Sequence, residues 1–246
     1  MKNTVILLLL FSVFISSCKK EKEVQYTLFT ASGDISTALN EFRTKLGPLN
    51  TEPGATTGRR EVNWDGVPDS LLDTPLPFNF FNRTDSAASS SVQKGITYRD
   101  GDFQVSASGF DHLNPTASAE FEAFSGDQVF ANTENESWPI GFEVAGKSDP
   151  ASVQGFGMVF SDVDLPQSTS LEFFDGDRSL GKFYVPAAEP GSRFSFLGVC
   201  FHNHTITSVR VNHEGVIAKG EPDISQGGSK DLVVIDDIIY SEPVKR

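Results

Sequence analysis

Asp231–Tyr240 reads D-L-V-V-I-D-D-I-I-Y. Side chains alternate across a strand, so Leu232, Val234, Ile238 and Tyr240 are predicted on one face and Val233, Ile235 and Ile239 on the other. Both sets are apolar, the pattern of a strand covered on both sides. Asp236 and Asp237 interrupt it, one directed to each face. A bare buried carboxylate is costly, so each Asp needs a cation, a set of hydrogen-bond donors or the sheet edge.

Similar β-rich runs recur upstream. Tyr26–Ala31, Val153–Val163, Phe194–Phe201 and Ile206–Val211 read as strands, with Phe121–Phe124, Gln128–Ala131 and Ile140–Val144 as shorter candidates. Ser170–Phe174 and Ser179–Val185 read as a hairpin across Asp175–Arg178. Ile96–Tyr98 and Phe103–Ser108 read as another around the Asp100-Gly101 turn signal. Ile35, Leu39, Phe42 and Leu46 fall at helical spacing, with Asp34 placed to cap the helix and Gly47 to end it. Val67–Ser91 is irregular, and its Phe78, Phe80 and Phe81 are expected to turn inward. The 21 Phe, against 4 Tyr and 2 Trp, broken up by 21 Gly and 13 Pro, fit short aromatic strands joined by turns. The predicted fold is all-β: a single jelly-roll-like antiparallel β-sandwich over residues 26–246 with one short N-terminal helix.

A net charge of −13 without a basic stripe argues against nucleic acid as a partner. Lys2, the apolar run Val5–Ile15 and Ile15-Ser16-Ser17-Cys18 form a signal sequence too short for a comfortable membrane span. The last four residues resemble the lipobox of bacterial lipoproteins. The expectation is a lipoprotein signal peptide over 1–17, a lipidated Cys18 and a charged tether through residue 25. Such a protein is exported and held on a membrane by its lipid, at the outer membrane or cell surface rather than the inner membrane. The other cysteine, Cys200, lies in an apolar run and reads as a small buried hydrophobe.

Several phrases can be read together: Gly58–Gly66 (G-R-R-E-V-N-W-D-G), Gly155–Asp164 (G-F-G-M-V-F-S-D-V-D), Leu171–Asp175 (L-E-F-F-D), Leu180–Pro186 (L-G-K-F-Y-V-P), Phe196–Phe201 (F-L-G-V-C-F) and Val233–Pro243 (V-V-I-D-D-I-I-Y-S-E-P). In this order they resemble an uncharacterised family of exported bacterial proteins, some of which carry a C-terminal PEP-type sorting anchor. The resemblance covers about Ile35 to Pro243 and implies export and a β-sandwich, without an established catalytic activity. In this chain the Cys18 lipid is expected to serve as the anchor.

Three constellations invite chemistry. Glu61, Asn63 and Asp65 could meet Asp236 or Asp237 around a structural Ca2+, by analogy with jelly-roll carbohydrate-binding modules; alternatively Arg59 or Arg60 pairs with an aspartate. Asp162/Asp164 and Asp175/Asp177 are further acidic pairs that ordinary turns and strand ends explain. His202 and His204, with His213 as a third, have spacing compatible with a metal but read more simply as loop histidines. Trp64 beside Asn63 and Asp65, and Trp138 beside Asn135, have the ingredients of a sugar platform, although Trp64 equally suits a core anchor. No nucleophile elbow, zinc-protease helix or phosphate loop occurs. The sequence therefore points to a non-catalytic glycan-binding module, with a structural or adhesive envelope protein and a carbohydrate-active hydrolase or lyase as alternatives.

Overall fold

The computed structural model describes residues 23–217 and 221–246, so Cys18 and the signal sequence lie outside the described residues. In chain order the elements are β1 (Tyr26–Ser32), α1 (Ser36–Leu46), β2 (Arg59–Val62), β3 (Ile96–Tyr98), β4 (Phe103–Ser106), β5 (Val129–Asn132) and β6 (Ser137–Phe142). There follow β7 (Ala151–Ser152), β8 (Gly155–Ser161), β9 (Ser170–Asp175), β10 (Arg178–Tyr184), β11 (Phe194–Phe201), β12 (Ser208–Asn212), β13 (Val234–Ser241) and β14 (Val244–Lys245). They form an all-β, antiparallel sandwich with one α-helix. One sheet runs β1-β11-β8-β13-β5-β4, with β2 also paired to β13; the other runs β10-β9-β12-β6-β3.

The aromatic residues explain why the sheets stack. Phe156, Phe160 and Tyr240 from the first sheet meet Phe142 and Phe173 from the second, all buried in one cluster. Phe142 and Tyr240 approach with ring centroids 5.9 Å apart, and Phe173 and Phe201 with centroids 5.5 Å apart. The first sheet is covered on its far side as well. There α1 lays Leu39 and Phe42 over Val159, Phe196, Cys200 and Ile239. Phe42 fits because the cross-strand partners Gly157 and Gly198 have no side chains; a Cβ on either would lie within 3.0 Å of its ring. A strand sandwiched in this way must be apolar on both faces, which is why β8 is buried at all seven positions.

β13 departs from simple alternation. Ile235 pairs with Phe160 while Ile238 pairs with Met158, so Asp236 and Asp237 together oppose one residue of β8. This β-bulge reverses the phase of the strand. Ile235, Ile238 and Tyr240 therefore share the main core, whereas Val234 and Ile239 lie in clusters on the other side. That corrects the expectation that Val234 and Ile238 share a face.

Three further local expectations are overturned, the first at Phe78, which is 48% exposed while Phe80 and Phe81 turn inward. Ile96–Tyr98 and Phe103–Ser106 do not form a hairpin: β3 pairs with β6 and β4 with β5, so the intervening turn passes from one sheet to the other. Asp100, at φ 62°, supports that turn in the left-handed region. Phe121–Phe124 is not a strand: the Phe121 N–H donates to the Ser118 carbonyl, the Glu122 N–H to the Ser161 hydroxyl, and the Phe124 N–H to Asp236 in the bulge.

Candidate functional site

Both bulge carboxylates find protein partners. Asp236 is fully buried, and its Oδ2 accepts the backbone N–H groups of Phe124 and Ser125, the latter at 2.9 Å. Its Oδ1 is buried without a donor. Asp237 Oδ1 accepts the Ser125 hydroxyl at 2.7 Å, and its Oδ2 accepts Arg43 Nη2 at 3.2 Å. Burial and the neighbouring Asp237 charge push Asp236 up to about 8. Burial also raises Asp237, although the Ser125 and Arg43 contacts oppose it, as does a hydrogen bond from Asp236. Within the pair the proton is held more firmly on Asp236, while Arg43 and Ser125 favour the charged form of Asp237.

Arg43 also forms a two-pronged contact with Glu61, Nε to Oε1 at 3.0 Å and Nη2 to Oε2 at 2.8 Å. Arg59 Nε donates to Glu61 Oε1 at 2.6 Å. Burial would push Glu61 up, but hydrogen bonds from Arg43 and Arg59 outweigh it and hold the carboxyl below its ordinary value. Lys94 Nζ donates to the Glu61 carbonyl at 2.5 Å, and burial together with the Arg60 charge lowers its pKa. Asp237, Arg43, Glu61, Lys94 and Ser125 line one wall of a cleft of about 420 Å³. Leu49, Asn50, Thr51, Asn63, Ser90 and Ser91 complete it.

The sequence-derived ligand set is not gathered at one point. Glu61 and Asp237 are bridged by Arg43, while Asp236 is committed to backbone donors. Asp65 is exposed, accepting from Asn63 Nδ2 and from the Asp127 N–H, each at 3.0 Å. The alternative salt bridge exists with a different arginine: Arg43 from α1 reaches Asp237, whereas Arg60 is buried against Glu242 at 2.8 Å. Nothing in the spacing around Arg43 announced this. Its position near the C-terminal end of α1, above the glycine floor, places it over the bulge.

Both tryptophans are core residues. Trp64 is fully buried, stacks on Phe130 with centroids 4.0 Å apart, and donates its indole N–H to the Asp236 carbonyl. Trp138 is equally buried, edge-on to Phe103 at 5.1 Å. Neither ring has an exposed face, and Asn135 is tied to the Asp100 carbonyl at 3.0 Å. The histidines separate as well. His202 contacts Thr27, His204 lies 3.3 Å from Asp175, and buried His213 contacts the Gly215 carbonyl. Cys200 is buried, and burial pushes its thiol up to about 11.

A second polar centre lies just before β13. The carboxylate ligand atoms of Glu120, Asp162 and Asp223 lie within 4.8 Å of one another, as do those of Asp164, Asp223 and Asp231. Burial and neighbouring carboxylates push Asp162 up to about 8 and Asp164 up to about 6.

The fold and cleft define an antiparallel β-sandwich with a polar recess built on a strand bulge. No family model matches this chain, and neither a curated protein nor a solved structure matches it.

Proposed function

We propose that this protein is an exported, lipid-anchored, non-catalytic binding module whose Arg43–Glu61–Lys94–Asp237 cleft takes a glycan. The observation that carries the reading is the convergence of fixed donors and acceptors on one recess large enough for a small saccharide. Sugar hydroxyls both donate and accept, and this wall offers both kinds of group at set positions. The ion pairs largely neutralise one another, which suits an uncharged, polyhydroxylated ligand better than a strong anion or cation. Leu49, 48% exposed, offers an aliphatic surface at the rim. Among the described residues no helix is long and apolar enough to cross a membrane, and the proposed anchor is the lipid on Cys18.

A glycan-array screen of the domain from Glu23 onward, run beside a Ser91→Trp variant, tests the reading. Ser91 is an exposed residue of the cleft wall. The wild-type domain should retain a defined set of glycans and the variant should lose them. A silent array, or equal binding by the variant, would count against a glycan cleft.

One observation favours the adhesive reading as well. β1 is a sheet edge, with Tyr26 and Leu28 46% and 44% exposed. A protein-binding role would use that edge, and Ser91→Trp would leave it unchanged.

A further inference from the structure

We propose that Glu120, Asp162, Asp164, Asp223 and Asp231 form a binding site for a divalent, oxygen-preferring cation of the calcium type. The acidic cluster alone would not carry this. The second observation is Asp162, whose side chain is 91% buried, with Oδ2 buried and without a hydrogen-bond donor. An uncompensated carboxylate oxygen at this depth is costly, and either a proton or a bound cation relieves it. A carboxylate oxygen of Asp162 lies within 4.8 Å of those of Glu120 and Asp223, both acceptors themselves.

The partners that do exist reinforce the point. Asp223 accepts the Ser225 and Leu232 N–H groups, each at 2.7 Å, and Asp231 accepts the Leu165 N–H at 2.9 Å. These neutral donors orient the carboxylates without cancelling their charge. Among the described residues the one ion pair to the five is Arg193 Nη1 with Asp162 Oδ1, at 3.5 Å. Five acids against one partly exposed base leave a strong negative field.

The spacing suits calcium. Its oxygen ligands lie at about 2.3–2.6 Å, so ligands on opposite sides of the ion stand roughly 5 Å apart. The 4.8 Å limit on both triads falls within that reach. All donors are hard oxygens, and six to eight can come from five carboxylates with carbonyls or water. The ligands belong to three separated segments: Glu120, Asp162 with Asp164 after β8, and Asp223 with Asp231 before β13. A cation there would clamp the approach to the bulged strand. It stands apart from the proposed glycan cleft, whose residues it does not share.

The test uses the domain from Glu23 onward, dialysed against EDTA and titrated with CaCl2 by calorimetry, with melting followed in parallel. Saturable binding is expected, with a rise in Tm of about 5–10 °C when Ca2+ is present at about a hundred times Kd. Asp162→Asn should lower Ca2+ affinity at least tenfold, yet melt no lower than wild type in EDTA, because a neutral side chain already suits this buried position in the metal-free protein. Glu61→Gln should bind Ca2+ as wild type does, separating this site from the cleft. Absence of binding, undiminished binding by Asp162→Asn, a lower Tm of that variant in EDTA, or loss through Glu61→Gln would each overturn the proposal.

Discussion

The indole N–H of Trp64 donates to the backbone carbonyl of Asp236, joining the second residue after β2 to the first residue of the β13 bulge across 172 positions of sequence. Trp64 adopts φ 67°, a left-handed conformation uncommon for a bulky residue, and this accompanies the turn of its ring into the core against Phe130. Trp64→Phe keeps much of the apolar contact but leaves the Asp236 carbonyl short of a donor. A loss of about 1–3 kcal/mol is expected in urea unfolding, and about 3–5 kcal/mol for Trp64→Ala. Wild-type stability of Trp64→Phe would show that this hydrogen bond contributes nothing.

Arg43 stands between two acids, so its removal leaves like charges facing each other. Arg43→Met should destabilise by about 1–3 kcal/mol, less than a fully buried pair would because the guanidinium is 25% exposed. Adding Asp237→Asn should recover part of the loss, giving a non-additive double-mutant cycle. Strict additivity would place the two residues in independent roles.

Asp236 holds its proton to about pH 8, whereas the ordinary value of an Asp is 3.8. Between those values the folded state binds more protons than the unfolded chain, so this group's stabilising contribution falls as pH rises from about 4 to about 8, then levels. Asp236→Asn removes that loss. Its stability relative to wild type should improve by an amount on the order of a few kcal/mol between pH 5 and pH 8, measured by urea unfolding in EDTA. Glu61 has the opposite sign: its contribution is present above its ordinary value of 4.5 and is lost as the pH falls through its lowered folded pKa. Parallel curves for wild type and Asp236→Asn would contradict the protonated Asp236.

The periodic parts of the fold were readable because burial on both faces leaves a direct mark on sequence. Phe194–Phe201 is a strand over the same residues as read, and α1 begins one residue later than its apolar spacing implies. The bulge was not readable as such. Asp236 and Asp237 signalled a special position, but the phase change depends on β8, 70 or more residues earlier. The same limit hid Arg43, whose partners are set by how α1 docks rather than by any local motif. Phe121–Phe124 has strand composition, yet it serves the bulge through the Phe124 N–H and the adjoining Ser125 N–H. Trp64 and Trp138 show that an aromatic beside polar neighbours does not announce which way its ring faces.

Cys18→Ala should release the full-length protein from membranes into the soluble fraction, because the lipid is the proposed anchor. Unchanged fractionation would defeat the lipoprotein assignment and leave the sandwich itself untouched.

The most direct measurement of the cleft's role is an NMR titration of the domain with the strongest glycan from the array, following backbone amides and the Trp64 indole. Saturable shifts at Ser90, Ser91, Lys94, Ser125 and Asp237 are expected, with the Trp64 indole responding through Asp236. Glycan-dependent shifts confined to another face, or none at saturating glycan, would contradict a binding site at the bulge.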